Sequence, residues 1–212
     1  MSGGDAGAKA ACFTCHGLKG EGDGRDAPRL AGLDAGYLHR QLDDYANGRR
    51  EHATMREIAR KLGDGDRSKV SAYYASLHPG AWPVDARNPA GARIYDEGDP
   101  ARGLPSCASC HGESGAGDAA NPPLAGQSAA YIAGQLTAWR DAKRNNDPLG
   151  EMRRVSRLLS PAELEAVSRH AASFPPRPPE VPATSPAARR ADPRSDASKP
   201  RPHATGSSRR GE

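Results

Sequence analysis

The chain of 212 residues is short of large apolar side chains: Leu, Ile, Val and Phe together number 24, and the mean hydropathy is −0.77. That lies far below the level at which composition begins to signal disorder. Much of the 36% hydrophobic content is alanine, which buries little surface. Side chains this few and this small cannot fill two ordinary cores. Either the chain is largely disordered, or something other than side chains supplies apolar mass. Long hydrophobic runs are missing too, which excludes a membrane-spanning helix. An excess of one charge is absent from most of the chain. Residues 1–174 hold 22 basic and 22 acidic side chains, so the net charge of +4 arises at the end. From Pro175 onward, 8 basic residues face 4 acidic ones among 9 of the 19 prolines. That composition reads as a disordered basic tail over 176–212. A nucleic-acid role for the body gets no support from charge.

Cysteine is scarce as well, but all four residues fall into two copies of one pattern, Cys12-Phe13-Thr14-Cys15-His16 and Cys107-Ala108-Ser109-Cys110-His111. C-x-x-C-H is the attachment signature of c-type haem. Two thiols three apart on a helical turn can add across the two vinyl groups of one macrocycle. The next residue then carries its imidazole beneath the ring, where a nitrogen can ligate iron. The rival readings explain less. A thioredoxin-like dithiol needs a βαβ context, and no strand pattern surrounds either copy. Zinc ribbons space their cysteine pairs by about 15–20 residues, far less than the gap from Cys15 to Cys107. A disulfide in an oxidising compartment remains open, but like the others it leaves the histidines idle.

The surroundings repeat with the motifs. Gly17-Leu18-Lys19-Gly20-Glu21-Gly22 is answered by Gly112-Glu113-Ser114-Gly115-Ala116-Gly117, and Pro28-Arg29-Leu30-Ala31-Gly32 by Pro122-Pro123-Leu124-Ala125-Gly126. A helix is expected after each, with Leu38, Leu42 and Tyr45 matching Ile132, Leu136 and Trp139 on one face. Asp34 and Ser128 are its expected N-caps, and Gly48 stops the first. A last helix closes each unit. In the first, Val70, Tyr73, Tyr74 and Leu77 share a face behind Asp64 or Asp66 as cap. In the second, Ser160, Pro161 and Glu163 form a capping box ahead of Leu164, Val167, Ala171 and Phe174. Pro79 to Pro89 reads as a linker. The expected organisation is therefore all-α: a first domain over 1–78, a linker over 79–90, a second domain over 91–175 and the tail. A haem in each domain removes the composition problem, because the macrocycle itself becomes the core.

A haem iron with one histidine is either open and reactive or six-coordinate and suited to electron transfer. Apart from Met1, the chain has only Met55 and Met152, at matching places 15 residues before Val70 and Val167. Methionine often merely fills gaps in cores. Its duplication here, and its absence elsewhere, points instead to axial ligation. His52 and His170 are the competing ligands. His170 takes the repeat position of Tyr73, so a bis-histidine second haem stays open beside its reading as a helix-face residue. His39, His78 and His203 read as surface residues. Pro28 and Pro122 are rigid loop residues whose carbonyls could orient the ligating imidazoles.

Two C-x-x-C-H domains in tandem, each with a Pro-x-Leu-Ala-Gly loop, a helix of the form Tyr-Leu/Ile…Gln-Leu and a late methionine, resemble the dihaem cytochrome c4 family. The stretch from Ala92 to Cys107 is especially similar to the entry of that family's second domain. The resemblance covers roughly residues 4–175. It implies two tandem class I cytochrome c folds and two covalently bound haem c per chain. Cys12, Cys15, Cys107 and Cys110 would carry the haems, with His16, Met55, His111 and Met152 on the irons. It also implies propionates facing each other between the domains, and a periplasmic carrier running from quinol–cytochrome c reductase, or another donor, to a terminal oxidase. The alternative is the electron-accepting subunit of a dehydrogenase, such as a sulfide-oxidising flavoprotein. A peroxidase or thiosulfate-oxidising enzyme would need a labile or missing sixth ligand, against which the matched methionines argue. The expected partners are redox proteins and no nucleic acid, with the basic tail available to a partner or a membrane surface. Residues 1–11 show neither a basic n-region nor an apolar h-region, so the sequence reads as a mature form or one with a misplaced start.

Overall fold

A helical turn carries the cysteines of each repeat: α1 over 12–16 in the first, and α6 over Ala108–His111, with Cys107 at its N-cap, in the second. The structure is a computed structural model that describes residues 12–80, 86–118 and 121–176. His203 and the expected tail beyond Pro176 lie outside the described residues. The longer helices follow, α2 (Ala35–Asn47) in the first repeat and α7 (Ala129–Arg140) in the second. Both start where a side chain satisfies an orphan N–H: Asp34 accepts from Tyr37, and Ser128 from Tyr131. Gly48 ends α2 in the left-handed conformation. Of the expected faces, Leu38 and Tyr45 are buried in α2, where Leu42 is only half-buried, and Ile132, Leu136 and Trp139 are buried in α7.

Two short helices then carry the methionines, α3 (Ala53–Lys61) and α8 (Glu151–Leu158). The closing helices are α4 (Asp64–Ser76) and α9 (Pro161–Ala172). The capping box at Ser160 and Glu163 is present, with Pro161 in the first turn. In the first repeat the cap is Gly63, without a side-chain bond. Asp64 and Asp66 sit inside the first turn, where their charge faces the helix dipole instead of capping it. α2 packs on α3 and α4, and α7 on α8 and α9.

A further helix, α5 (Pro89–Asp96), opens the second repeat and crosses α9. Pro89, expected at the end of the linker, is its first residue, behind the Asn88 cap. The crossing is close: a Cβ at Gly91 would stand 2.0 Å from the Ala166 carbonyl oxygen. Ile94 and Tyr95 thereby reach the core of the second repeat beside Leu104, Leu136, Val167 and Phe174. In the first repeat, Leu33, Leu38 and Tyr74 form the buried cluster. No strands occur among the described residues, which all belong to one compact unit.

Candidate functional site

The loop after each histidine is built the same way twice. The amide of Gly22 donates to the carbonyl of His16, and that of Gly117 to His111, each at 2.8 Å. Glycine is required here because φ is positive, +86° at Gly22 and +66° at Gly117, and a Cβ would run into the Pro28 or Pro122 backbone. The carbonyl of Gly20 then accepts from Leu30 and Ala31, and that of Gly115 from Leu124 and Ala125. These bonds bring the proline loops back over the histidines. His16 Nδ1 lies 2.9 Å from the Pro28 oxygen, and His111 Nδ1 2.9 Å from the Pro122 oxygen. A carbonyl only accepts, so Nδ1 carries the proton and Nε2 is left as the basic nitrogen. Both imidazoles are buried, and burial lowers their pKa values despite the opposing carbonyl bonds. They are held neutral, the form that ligates a metal.

The first cysteine of each pair is half-buried and the second exposed. Burial raises the Cys12 pKa, and pushes Cys107 up to about 11. A redox dithiol or a thiolate metal site needs the opposite shift. The donor set therefore suits a haem held by thioether bonds: one helical turn supplies two thiols and a neutral, oriented imidazole.

Met55 and Met152 are both half-buried near the starts of their helices. Met152 packs against the second core, and its carbonyl accepts the Ser156 hydroxyl at 2.6 Å. His52 caps α3, its Nδ1 accepting the Met55 amide at 3.3 Å. His170 is 1% exposed and lies among the rings of Tyr95 and Phe174, with no hydrogen bond to its Nδ1. Tyr95 itself donates to the Gly112 carbonyl at 2.8 Å, tying α5 to the loop after His111. His78 is exposed. His39 is not a free surface residue, since its two ring nitrogens lie 3.4 Å from Asp43 and 3.1 Å from Asp64.

The repeats meet along a seam that reasoning from sequence did not single out. The first proline loop bonds to the second: the Arg29 amide donates to Gln127 Oε1 at 3.0 Å, and Gln127 Nε2 returns a bond to the Arg29 carbonyl at 2.8 Å. The Arg29 guanidinium donates to the carbonyls of Ala31, Ala125 and Gly126, and burial pulls its pKa down to about 10. Further along, the backbones of Arg50 and Arg144 form an antiparallel bridge, flanked by Glu51 N to Lys143 O at 2.8 Å and Asn145 N to Arg49 O at 2.7 Å. Each guanidinium stacks on an aromatic ring of its own repeat, Arg50 on Tyr45 at 4.7 Å and Arg144 on Trp139 at 3.8 Å. The available signal was the repeat itself, because Arg50 and Arg144 stand in the same register as Tyr45 and Trp139.

Comparison with known proteins gives a family match over residues 3–78 and 89–170, described as cytochrome c. The thiosulfate dehydrogenase electron acceptor of Stutzerimonas stutzeri is 41% identical over 172 residues, covering 78% of this chain and 80% of its own. Among solved structures, reduced recombinant cytochrome c4 from Pseudomonas stutzeri matches with a TM-score of 0.72 and 32% identity, over 81% of this chain and 99% of that one. The thiosulfate dehydrogenase (TsdBA) from Marichromatium purpuratum matches with a TM-score of 0.74 and 40% identity, over 81% of this chain. The match spans only 38% of that longer chain.

Proposed function

The chain belongs to the cytochrome c family, as a tandem dihaem protein of the cytochrome c4 type, and we propose that it accepts electrons from a thiosulfate-oxidising dehydrogenase in the periplasm. It carries two covalently bound haem c groups and is an electron carrier. In the proposed assignment, Cys12 and Cys15 hold the first haem and Cys107 and Cys110 the second. His16 with Met55, and His111 with Met152, would ligate the two irons. A bound haem c supplies one iron that takes up and gives back a single electron, at a potential that a thioether ligand raises.

The protein's own residues do the rest. The Pro28 and Pro122 carbonyls fix the tautomer and plane of the two imidazoles. The short helices α3 and α8 would present the methionines to the irons, leaving neither iron open to a substrate. That saturation is what separates a carrier from a peroxidase.

The donor assignment rests on the likeness to thiosulfate dehydrogenase electron acceptors. Joining two thiosulfates through a new sulfur–sulfur bond releases two electrons, and one chain with two one-electron sites takes up both. A terminal oxidase is the acceptor in this reading. The likeness to cytochrome c4 supports a second reading, in which quinol–cytochrome c reductase is the donor.

The test mixes oxidised holoprotein with thiosulfate and a catalytic amount of a thiosulfate dehydrogenase, following reduction by absorbance. Both haems are expected to be reduced far faster than by thiosulfate alone. Reduction by dithionite, but not by enzyme with thiosulfate, would overturn the donor and leave the reductase reading.

A further inference from the structure

Away from the haem-binding residues, His39 stands between two carboxylates that come from different helices. Asp43 lies one turn further along α2, and its Oδ2 is 3.4 Å from the imidazole Nδ1. Asp64 opens α4, and its Oδ1 is 3.1 Å from Nε2. One ring nitrogen and one oxygen of each carboxylate all fall within 4.8 Å of one another. The Nε2 atom is closed off from water and has no hydrogen-bond partner, although the Asp64 oxygen is near enough to be one. That oxygen therefore sits off the line along which the ring nitrogen bonds. Two ligands of one tetrahedral ion stand in this way, roughly 3.4 Å apart and each aimed at the metal instead of at the other. Arg67 holds the second oxygen of Asp43, Oδ1, at 2.6 Å and donates to the Ala59 carbonyl at 2.8 Å, which leaves Oδ2 to the imidazole. Asp64 is 85% exposed and makes no other ion pair among the described residues, so its carboxylate is free to close on an ion.

The duplication isolates the cluster. By the registers that align Leu38 with Ile132 and Val70 with Val167, His39, Asp43 and Asp64 answer to Ala133, Thr137 and Pro161, a set with neither imidazole nor carboxylate. The shared fold therefore does not require them. We propose that His39 Nε2, Asp43 and Asp64 form a site for a divalent cation of the zinc type, with water completing the tetrahedron, and that the ion pins the start of α4 to α2. One imidazole with two carboxylates suits zinc better than magnesium or calcium, which take oxygen ligands. The charges agree. Two carboxylates against the one Arg67 guanidinium leave the cluster negative while the imidazole is neutral. A bound ion crosses between two helices that pack together in the first repeat, so binding is coupled to the stability of that repeat and not to electron transfer.

The test uses full-length holoprotein at about pH 7.5, above the ordinary histidine pKa near 6.5, with zinc chloride as the probe. Calorimetric titration of the wild type is expected to show zinc binding. His39→Gln and Asp64→Asn should each weaken it by at least about tenfold, the cost of losing even a group that only hydrogen-bonds to a metal ligand. Neither side chain is buried, and haem spectra matching the wild type verify that both variants fold. Zinc affinity equal to wild type in either variant would overturn the site. Calcium chloride should give no heat of binding, and calcium held as tightly as zinc would overturn the part given to the imidazole. Zinc at about one hundred times its dissociation constant should raise the melting temperature of the wild type by about 5–10 °C, and that of Asp64→Asn by no more than about half as much. Zinc that binds without raising the melting temperature, or raises it equally in both proteins, would overturn the bridge between α2 and α4.

Discussion

After each buried histidine the two repeats run the same loop, down to the carbonyls of Gly20 and Gly115 that each accept two amides. They part company where the closing helix meets that loop. In the first repeat the Tyr74 ring packs over Gly20; in the second, Phe174 and the Tyr95 hydroxyl fill the space over Gly115. Tyr74 lies within α4 whereas Phe174 lies beyond the end of α9, so the same space is filled from a different place in the closing segment. The approach to the methionine differs too. Residues 48–52 join α2 to α3 in the first repeat, whereas 141–150 join α7 to α8 and form a turn at Asp147, held by Arg153, that leaves Leu149 86% exposed. The hydrogen-bonded shell around each histidine is thus duplicated almost atom for atom, while the packing behind it and the loops outside it are free to diverge.

The largest test of that equivalence removes one haem. Cys107→Ala with Cys110→Ala should yield a chain carrying a single haem by intact mass, with the spectrum of the first repeat retained. Loss of both haems would show that the repeats mature as one unit. A smaller effect is expected from Tyr95→Ala, because Tyr95 is wholly buried and bonds to Gly112. Denaturant unfolding should report a loss of about 3–5 kcal/mol. A loss under 1 kcal/mol would mean that α5 does not hold the second repeat.

The repeats should also differ in pH response. His170 is buried, and its pKa lies below the ordinary value because burial, reinforced by Arg87, outweighs Asp96. The unfolded chain therefore takes the proton first. Stability from the neutral form is complete above the ordinary histidine range near 6.5, and is lost as pH falls through it toward the folded value. Tyr73 stands at the matching place in the first repeat, which has no histidine there. His170→Leu should flatten the pH dependence of the melting temperature between roughly 7 and 5. An unchanged slope would assign it to other groups. The smallest effects are at the caps. Ser160→Ala should cost about 1 kcal/mol, and Gly63→Ser should gain a few tenths of a kcal/mol, both read from denaturation midpoints. Equal and opposite changes would mean that the first repeat's uncapped start is a larger defect than its geometry indicates.

Much of this was legible without tertiary structure. The C-x-x-C-H motifs, the proline loops, and the caps at Asp34, Ser128 and Ser160 are local signals, each carried by residues within one or two turns of one another. α5 was missed as an element because it is short and reads as the end of a linker. The Asp64 and Asp66 expectation failed because an acidic residue inside a first turn and one at the cap have the same composition and differ only in register.

Sequence alone therefore determined the cofactor class, the duplication and the helix faces, since covalent chemistry and helical periodicity act between near neighbours along the chain. Only the tertiary structure decided what the buried arginines meet. Arg50 with Tyr131 and Gln135, Arg144 with Gln41, and Arg29 with Gln127 are pairs drawn from different repeats. No local pattern records them, because their energies exist only once two folded units have excluded water from the seam between them.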